Sequence, residues 1–407
     1  MFMAMSRNKI IVGLEIGTSK VCAAVCESRL DGTPQLLGVG TASSCGIRKG
    51  EIVDAAAATA CIKEALADAE KKAGVKIESV FLSVTGSHIS GFNSRGCVSF
   101  ADPKELDDTD REDVMLSALD VEIPRQDLFL HSILQKYRVD GQDSLLNPVV
   151  MHGRKLEADF YIVQATGVRI KPAVRCIKDI GLKIEDVIFA GLASAQMMVT
   201  PHQKEMGALV LDIGGGTIDF VLYLDGEVHK CGVLPVGGNH VTEDISQRLR
   251  VPMALAEQLK IGEGSALLEE NGLSQEILLS PEGAFPGGTV SRKILNKIIQ
   301  LRMRETLESV AGSLSGEFDL SLLSAGIFVT GGTSQLRGLG KLAEKVFDLP
   351  VQLSTRTGGS MLDASAENPG FSTVLGLIEY ANATIGFDPS KPNPFFGPLL
   401  RCVRYRW

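Results

Sequence analysis

Three observations predict an α/β protein of two lobes, each built on the same kind of β-sheet core, with an α+β unit inserted in the first. The first is a near-repeat. Val12-Gly13-Leu14-Glu15-Ile16-Gly17-Thr18-Ser19-Lys20 lies close to the start of the chain, and Val210-Leu211-Asp212-Ile213-Gly214-Gly215-Gly216-Thr217-Ile218-Asp219 lies near its middle. Each reads as an apolar strand, a carboxylate, Ile-Gly and a small-residue turn with Thr. The second is a further glycine turn, Thr330-Gly331-Gly332-Thr333-Ser334, again closing an apolar strand, Ile327-Phe328-Val329. The third is the alternation of strand-like and helix-like periodicity around these turns.

Residues 10–25 and roughly 35–41 read as strands, with Asp31-Gly32 a hairpin turn between them. Residues 54–73 read as a helix capped by Asp54 and ended by Gly74, and 80–84 as the next strand. Residues 86–166 look like a small unit of their own: a strand hairpin at 91–100, a helix at 109–119, an extended run at 128–139 and a return strand at 159–164. Helices are expected at 170–181, ended by Gly181, and at 190–200. A second lobe begins near Gly207, with helices at 237–249, 254–261 and 291–310. In the last, Ile294, Leu295, Ile298, Leu301 and Leu307 follow helical spacing, and Arg292, Lys293, Arg302 and Arg304 take the other face. Gln335-Leu336-Arg337-Gly338-Leu339 reads as the start of another helix. The expected organisation is a first lobe from 8–85 and 167–205, completed by part of 370–383, with the insert at 86–166. The second lobe then takes 206–236 and 322–369, with a subdomain at 237–321.

The turns carry the chemistry. Glycine lets backbone approach a phosphate closely and aim successive N–H groups at one oxygen. Gly17, Gly214, Gly215 and Gly216 suit that, Thr18, Ser19 and Thr217 add hydroxyls, and Lys20 adds a cation. Asp212, with Glu15 in the equivalent place, suits the waters of a bound Mg²⁺, and Asp212 is the candidate for positioning an attacking water. Gly331 and Gly332 would let an adenine and ribose lie against bare backbone. Neither turn of the repeat is a G-x-x-x-x-G-K-[ST] or G-x-G-x-x-G motif. One glycine turn alone would be read as a plain hairpin; two copies with a carboxylate at the same offset point to a polyphosphate held between them.

These three elements, in this order, resemble the phosphate-1, phosphate-2 and adenosine motifs of the actin-like ATPase superfamily. Phe189-Ala190-Gly191-Leu192-Ala193-Ser194-Ala195, Val236-Gly237-Gly238-Asn239-His240-Val241-Thr242 and Phe371-Ser372-Thr373-Val374-Leu375-Gly376-Leu377 narrow the resemblance to the FtsA family of bacterial division proteins, over nearly the whole chain. It implies an actin-like fold with duplicated ribonuclease-H-like sheets, binding ATP and Mg²⁺, with Gly238 and Gln335 at the nucleotide. Glu257 and Lys260 lie one turn apart on a helix and are ordinarily a surface pair; in similar chaperone ATPases such a pair holds ribose and adenine. The family also uses the inserted unit for filament contacts and for later division proteins, and Leu146-Asn147-Pro148-Val149 matches a turn there. Its second-lobe subdomain binds the C-terminal tail of the tubulin-like protein FtsZ. Arg302 falls where an essential arginine sits, with Arg292 and Lys293 as neighbours, although a basic helix face is ordinarily just solvated. Arginine's planar fork suits a carboxylate.

The chain departs from an efficient ATPase at 189–192, which offers no carboxylate to orient a water. ATP binding with slow hydrolysis is therefore expected. The alternatives on the same superfold are a sugar or acetate kinase and a type IV pilus adaptor.

With 407 residues, 44% apolar and 22% charged, the chain is long enough for at least two domains and reads as globular. A net charge of −8 argues against general nucleic-acid binding. The 8 cysteines form no C-x-x-C pair, which fits a reduced, cytoplasmic compartment. No run reaches the ~18 apolar residues of a membrane span. The end of the chain is different: 384–394 is a Pro-rich tether, followed by Phe395 and Phe396. At 100° per residue Phe396, Leu399, Leu400, Val403 and Trp407 gather on one side, with Arg401 and Arg404 opposite or flanking. That pattern predicts a helix lying on an anionic membrane surface, weak as a single copy and firm when a filament carries many. The expected place is the inner face of the membrane at the division septum.

Overall fold

The turn at Gly17–Ser19 decides the first lobe. In a computed structural model describing residues 9–29, 33–121, 124–145, 147–268, 275–281, 285–316, 318–354 and 368–385, strand β1 (Lys9–Ile16) reverses there and pairs antiparallel with β2 (Lys20–Ser28). β3 (Pro34–Ser43) adds antiparallel on the outer side. A short hairpin, β4 (Ile47–Arg48) and β5 (Glu51–Ile52), leads to helix α1 (Ala55–Ala73). Asp54 caps that helix by accepting from the amides of Ala56 and Ala57, and Gly74 ends it at φ 68°. β6 (Ser79–Val84) then pairs parallel with β1. The chain leaves the lobe and returns as α3 (Gly167–Asp179), β11 (Lys183–Phe189), α4 (Ala190–Met198) and α5 (Pro201–Glu205).

The excursion is a four-stranded sheet ordered β7-β10-β8-β9, from β7 (Ile89–Glu105), β8 (Asp127–Val139), β9 (Gln142–Leu145) and β10 (His152–Thr166). Helix α2 (Asp108–Leu119) packs on it around Tyr137, Leu156 and Phe160. The expected hairpin at 91–100 is instead part of one continuous strand, β7. Glycines at 91 and 96 are close-approach positions rather than turns: a Cβ on Gly96 would fall 1.8 Å from the Val114 carbonyl oxygen of α2.

The second lobe repeats the first. β12 (Ala208–Ile213), β13 (Ile218–Leu224) and β14 (Glu227–Leu234) pair antiparallel, and β17 (Gly326–Thr330) and β18 (Val351–Leu353) add parallel on the other side of β12. The two five-stranded sheets, β3-β2-β1-β6-β11 and β14-β13-β12-β17-β18, have the same order and the same strand senses. β12 is buried along its whole length, as a strand covered on both faces must be. Leu209, Leu211 and Ile213 face the second-lobe core, while Ala208 and Val210 face the core that holds α4 and α10 (Ser372–Ile385).

Between the strands run α6 (Gly238–Leu249), α7 (Met253–Gly262), the hairpin β15 (Glu276–Leu279) and β16 (Gly288–Ser291), and the long α8 (Arg292–Ser315). Ile294 and Leu301 were expected on the apolar side of α8, but they are 54% and 52% exposed; Leu295, Ile298, Ile299, Met303 and Leu307 form its buried seam. Leu295, Ile298 and Leu307 keep their expected place, and Ile299 and Met303 replace Ile294 and Leu301, because α8 packs against both α6 and α9 (Leu339–Phe347). The helix expected from Gln335 begins only at Leu339, after a 3-10 turn at Gly332–Gln335 and a left-handed Gly338 at φ 77°. The Asp31-Gly32 turn, the tether beyond Ile385 and the segment 395–407 lie outside the described residues. Among the described residues no helix is long and apolar enough to cross a membrane.

Candidate nucleotide site

The two repeated turns close in the same way. Gly17 N–H donates to the Lys20 carbonyl at 3.0 Å, and Gly214 N–H donates to the Thr217 carbonyl at 2.9 Å. They face each other across a cleft of about 390 Å³, within the usual range for a small-molecule site. The cleft brings together Gly17, Thr18, Ser19, Lys20, Gly214, Gly215, Gly216 and Thr217 from the turns. Gly238, Glu257, Lys260, Gly331, Gly332 and Gln335 line its other end.

The glycines stand where side chains cannot. A Cβ on Gly215 would fall 1.9 Å from Ser19 Oγ, and one on Gly216 2.6 Å from Thr18 Oγ1. Gly331, at φ 86°, would put a Cβ 2.3 Å from Asp212 Oδ1. At the far end, Lys260 is buried; its Nζ donates to the Gly238 carbonyl at 3.1 Å and to Thr242 Oγ1 at 2.9 Å, and sits 2.7 Å from Glu257 Oε2. The pair therefore belongs to the cleft wall rather than to a solvated helix face. Lys20 is held differently from expectation. Its ammonium donates to the Gly370 carbonyl and lies 4.3 Å over the Phe371 ring, so the cation is tied to the turn that enters α10.

Three carboxylates meet at the base. Asp212 and Asp219 stand opposite each other on β12 and β13, and both are buried. Ser194 of α4 and Thr373 of α10 donate to Asp212 Oδ2, the latter at 2.9 Å, and Thr85 donates to Asp219. Burial raises the Asp212 carboxyl above its ordinary range, against the pull of the two hydroxyls. Asp219 is raised well above its range, first by burial and then by Asp212 beside it. Glu15 borders the open cleft, yet its Oε2 is sealed from solvent without a hydrogen-bond partner. Burial pushes its carboxyl up to about 7, Asp212 adds to that, and Lys20 opposes it.

Among the described residues no group of three His, Cys, Asp or Glu side chains is placed to hold a metal ion. Glu15 and Asp212 are two carboxylates, a number that suits a largely hydrated cation shared with phosphate. The orphaned Glu15 oxygen and the side-chain-free turns do fit a cation–polyphosphate pair. The chemistry needs oxygen acceptors for the hydrated cation and bare N–H donors for phosphate, and both are present.

Glu15 makes a pH prediction. Its folded-state pKa lies above the ordinary carboxylate value, so the stability it contributes is complete below about pH 4.5 and is lost as pH rises through about 7. Glu15→Gln should melt with the wild type near pH 4 and be more stable by roughly 3 kcal/mol at pH 8, without ligand. Parallel melting curves across that range would count against a buried, raised Glu15.

Of the other lining residues, Ser83, Thr85 and Asn368 lie outside the motifs, while Asn239, Thr333 and Thr373 lie within them but carry no role there. Ser83 and Thr85 were within reach of sequence reading, as hydroxyls at the end of an apolar strand just before Gly86. Asn368 comes from the far end of the chain and carries no local signal.

The partner-binding candidates lie elsewhere, on α8. Arg302 is not an open fork. Its Nε and Nη2 donate to Asp244 of α6 at 2.7 and 2.9 Å, and its Nη1 donates to Glu305 at 2.8 Å. Arg292 donates to the Glu263 backbone carbonyl at 2.9 Å and pairs with its carboxylate. Lys293 is exposed. The arginine geometry that suits a carboxylate is thus present, but spent within the subdomain.

Residues 209–376 match the family profile described as "Cell division protein FtsA", and 86–164 match "SHS2 domain inserted in FTSA". The cell division protein FtsA of Pseudomonas aeruginosa is 36% identical over 373 residues, covering 92% of this chain and 89% of that protein. This chain belongs to the FtsA family of cell division proteins. Other FtsA relatives agree: that of Borreliella burgdorferi is 34% identical, over 95% of this chain and 94% of its own, and that of Escherichia coli K12 is 34% identical, over 92% and 90%. Solved structures show the same actin-like fold at low identity. A PilM–PilN type IV pilus biogenesis complex chain aligns with a TM-score of 0.63 at 16% identity, covering 91% of this chain and 98% of that one. MreB5 of Spiroplasma citri bound to ADP aligns with a TM-score of 0.57 at 15% identity, covering 94% and 99%.

Proposed function

We propose that this FtsA-family protein binds ATP between its lobes, polymerises, and ties FtsZ filaments to the cytoplasmic membrane at the division septum. The observation that supports the nucleotide most directly is the pair of facing turns, closed by the same hydrogen bond, with Gly215 and Gly216 set against Ser19 and Thr18 of the opposite lobe's turn. Among solved structures of the same fold, MreB5 of Spiroplasma citri is bound to ADP in one and to AMPPNP in another. Mg²⁺ would sit between the phosphates and the Glu15 and Asp212 carboxylates, mostly through water. Ala190 lines the cleft where a water-orienting side chain would be needed, so the nucleotide acts as a conformational ligand with slow turnover. Calorimetric titration of the purified protein with ATP and Mg²⁺ tests the reading, and absence of saturable binding would overturn it.

The FtsZ tail is assigned to α8. Its exposed stripe combines Lys293, Ile294, Lys297, Leu301 and Arg304, cations beside apolar side chains, which suits a tail that runs from acidic to apolar. Arg302 borders this stripe and anchors it to α6 through Asp244. Arg302→Glu should weaken tail binding at least about tenfold, equivalent to ~1.4 kcal/mol, and leave ATP affinity intact. Since that change also strands Asp244, Ile294→Glu is the companion: it breaks no ion pair and should weaken the tail similarly. Unchanged tail affinity in both variants would remove the assignment.

Self-association is assigned to the inserted sheet and its 146–149 segment, of which Leu146 lies outside the described residues, and lipid binding to the 395–407 segment, through its apolar side chains and Arg401 and Arg404. Deleting 395–407 should release the protein from anionic liposomes, read by co-sedimentation; retained binding would show that the lipid contact lies elsewhere.

A further inference from the structure

The β4–β5 hairpin stands between the cleft and the inserted sheet. Its tip, Lys49-Gly50, has both residues at positive φ, 50° and 78°, the geometry of a tight two-residue turn. Gly50 N–H donates to Thr18 Oγ1 at 2.9 Å. With that lone pair engaged, the Thr18 hydroxyl hydrogen is left to serve the cleft. Gly50 also lies against Thr85, the residue that holds Asp219: a Cβ at position 50 would fall 2.6 Å from Thr85 Cγ2.

The next residue faces the other way. Glu51 Oε1 and Oε2 accept from Arg169 Nη1 at 2.7 and 2.6 Å, and Oε1 lies 3.5 Å from His88 Nδ1, too far for a good hydrogen bond. These two partners mark the chain's crossings into and out of the insert. His88 immediately precedes β7, and Arg169 sits in the first turn of α3, just after β10. The His88 side chain is 5% exposed and neither ring nitrogen has a hydrogen-bond partner. Asp127, which opens β8 at the same root, has a buried Oδ1 that is also unpartnered. A buried imidazole left unbonded beside a carboxylate is costly. A small shift of Glu51 from Arg169 toward His88 would satisfy it.

We propose that Glu51 is a positioning residue that couples occupancy of the cleft to the orientation of the inserted subdomain. The inference rests on the nucleotide reading of the cleft. A phosphate engaging the Thr18 hydroxyl bears on Gly50, and the hairpin is too short for Glu51 to stay behind. Glu51 then redistributes between Arg169 and His88, and the ends of β7 and β10 follow. The coupling has the character of a two-state element biased from one side.

The test uses the full chain as wild type, Glu51→Gln and Arg169→Met. ATP with Mg²⁺ is titrated by calorimetry, and amide hydrogen exchange is followed in peptides spanning 86–95 and 160–170. In the wild type, saturating ATP should change exchange in these peptides about fivefold or more. Both variants should lose that change while holding ATP affinity within about threefold of wild type, roughly 0.6 kcal/mol. If the wild type binds ATP without any change in these peptides, the coupling is overturned. If the change persists in both variants, with or without a lowered melting temperature, Glu51 is only a structural ion pair and the proposal falls. Failure of the wild type to bind ATP would instead bring down the nucleotide reading, and the coupling with it.

Discussion

Gly216→Val should lower ATP affinity by about a hundredfold or more, ~2.7 kcal/mol, while the protein stays folded. A Cβ at this position would lie 2.6 Å from Thr18 Oγ1, 2.8 Å from its Cγ2 and 3.0 Å from its Cβ. No rotation of Thr18 clears all three, so the added side chain forces the two turns apart. The turns are also the place where phosphate needs bare N–H donors, and a valine would screen them. Gly215→Ala is the milder partner: its closest contact is the end of a serine side chain, Ser19 Oγ at 1.9 Å, which can turn away. Its loss should be clearly smaller. Fluorescent-nucleotide titration of both variants checks the pair, and equal affinity in wild type and Gly216→Val would refute the placement of phosphate between the turns.

Gly376→Val should lower the melting temperature by roughly 10 °C or abolish soluble expression. Gly376 is where α10 crosses α4, and a Cβ there would fall 1.9 Å from the Ala193 carbonyl oxygen and 2.4 Å from its carbon. Both are backbone atoms of a buried helix, so neither can yield without moving the helix. The helices are also the site's scaffold. Ser194 on α4 and Thr373 on α10 both donate to Asp212, so separating them frees a buried carboxylate from its donors. Loss of packing and loss of the carboxylate's partners act together, which is why the expected effect exceeds that of ordinary overpacking. A shift of under ~2 °C in differential scanning fluorimetry would show that the crossing is looser than these distances imply.

How much of this was legible beforehand differs by region. The hairpin repeat, the capped helix at 54–73 and the three glycine turns could be read from local signals. These elements are set by short-range chemistry: a carboxylate or glycine at a defined offset from an apolar strand, or a cap at a helix end. The family resemblance extended the reading to Glu257 and Lys260, which the fold does place in the cleft wall. Where local pattern was ambiguous the reading slipped. Residues 91–100 look like a hairpin because Gly91 and Gly96 suggest turns, yet these glycines exist for close approach of Tyr161 and of α2. On α8, two apolar stripes compete, and packing against α6 and α9 chose the one containing Ile299 and Met303.

The sequence by itself determined that two equivalent turns with acidic partners exist, that their glycines permit a phosphate-like ligand, and which family the chain belongs to. Only the tertiary structure decided what those residues do to one another. It set Asp212 against Asp219 across one strand pair, tied Lys20 to a turn 350 residues further along the chain, and spent Arg302 on Asp244. The physical reason is range. Turn and cap preferences act within a few residues, whereas the charge state of a buried carboxylate or the availability of an arginine depends on which distant groups the fold brings within a few ångströms.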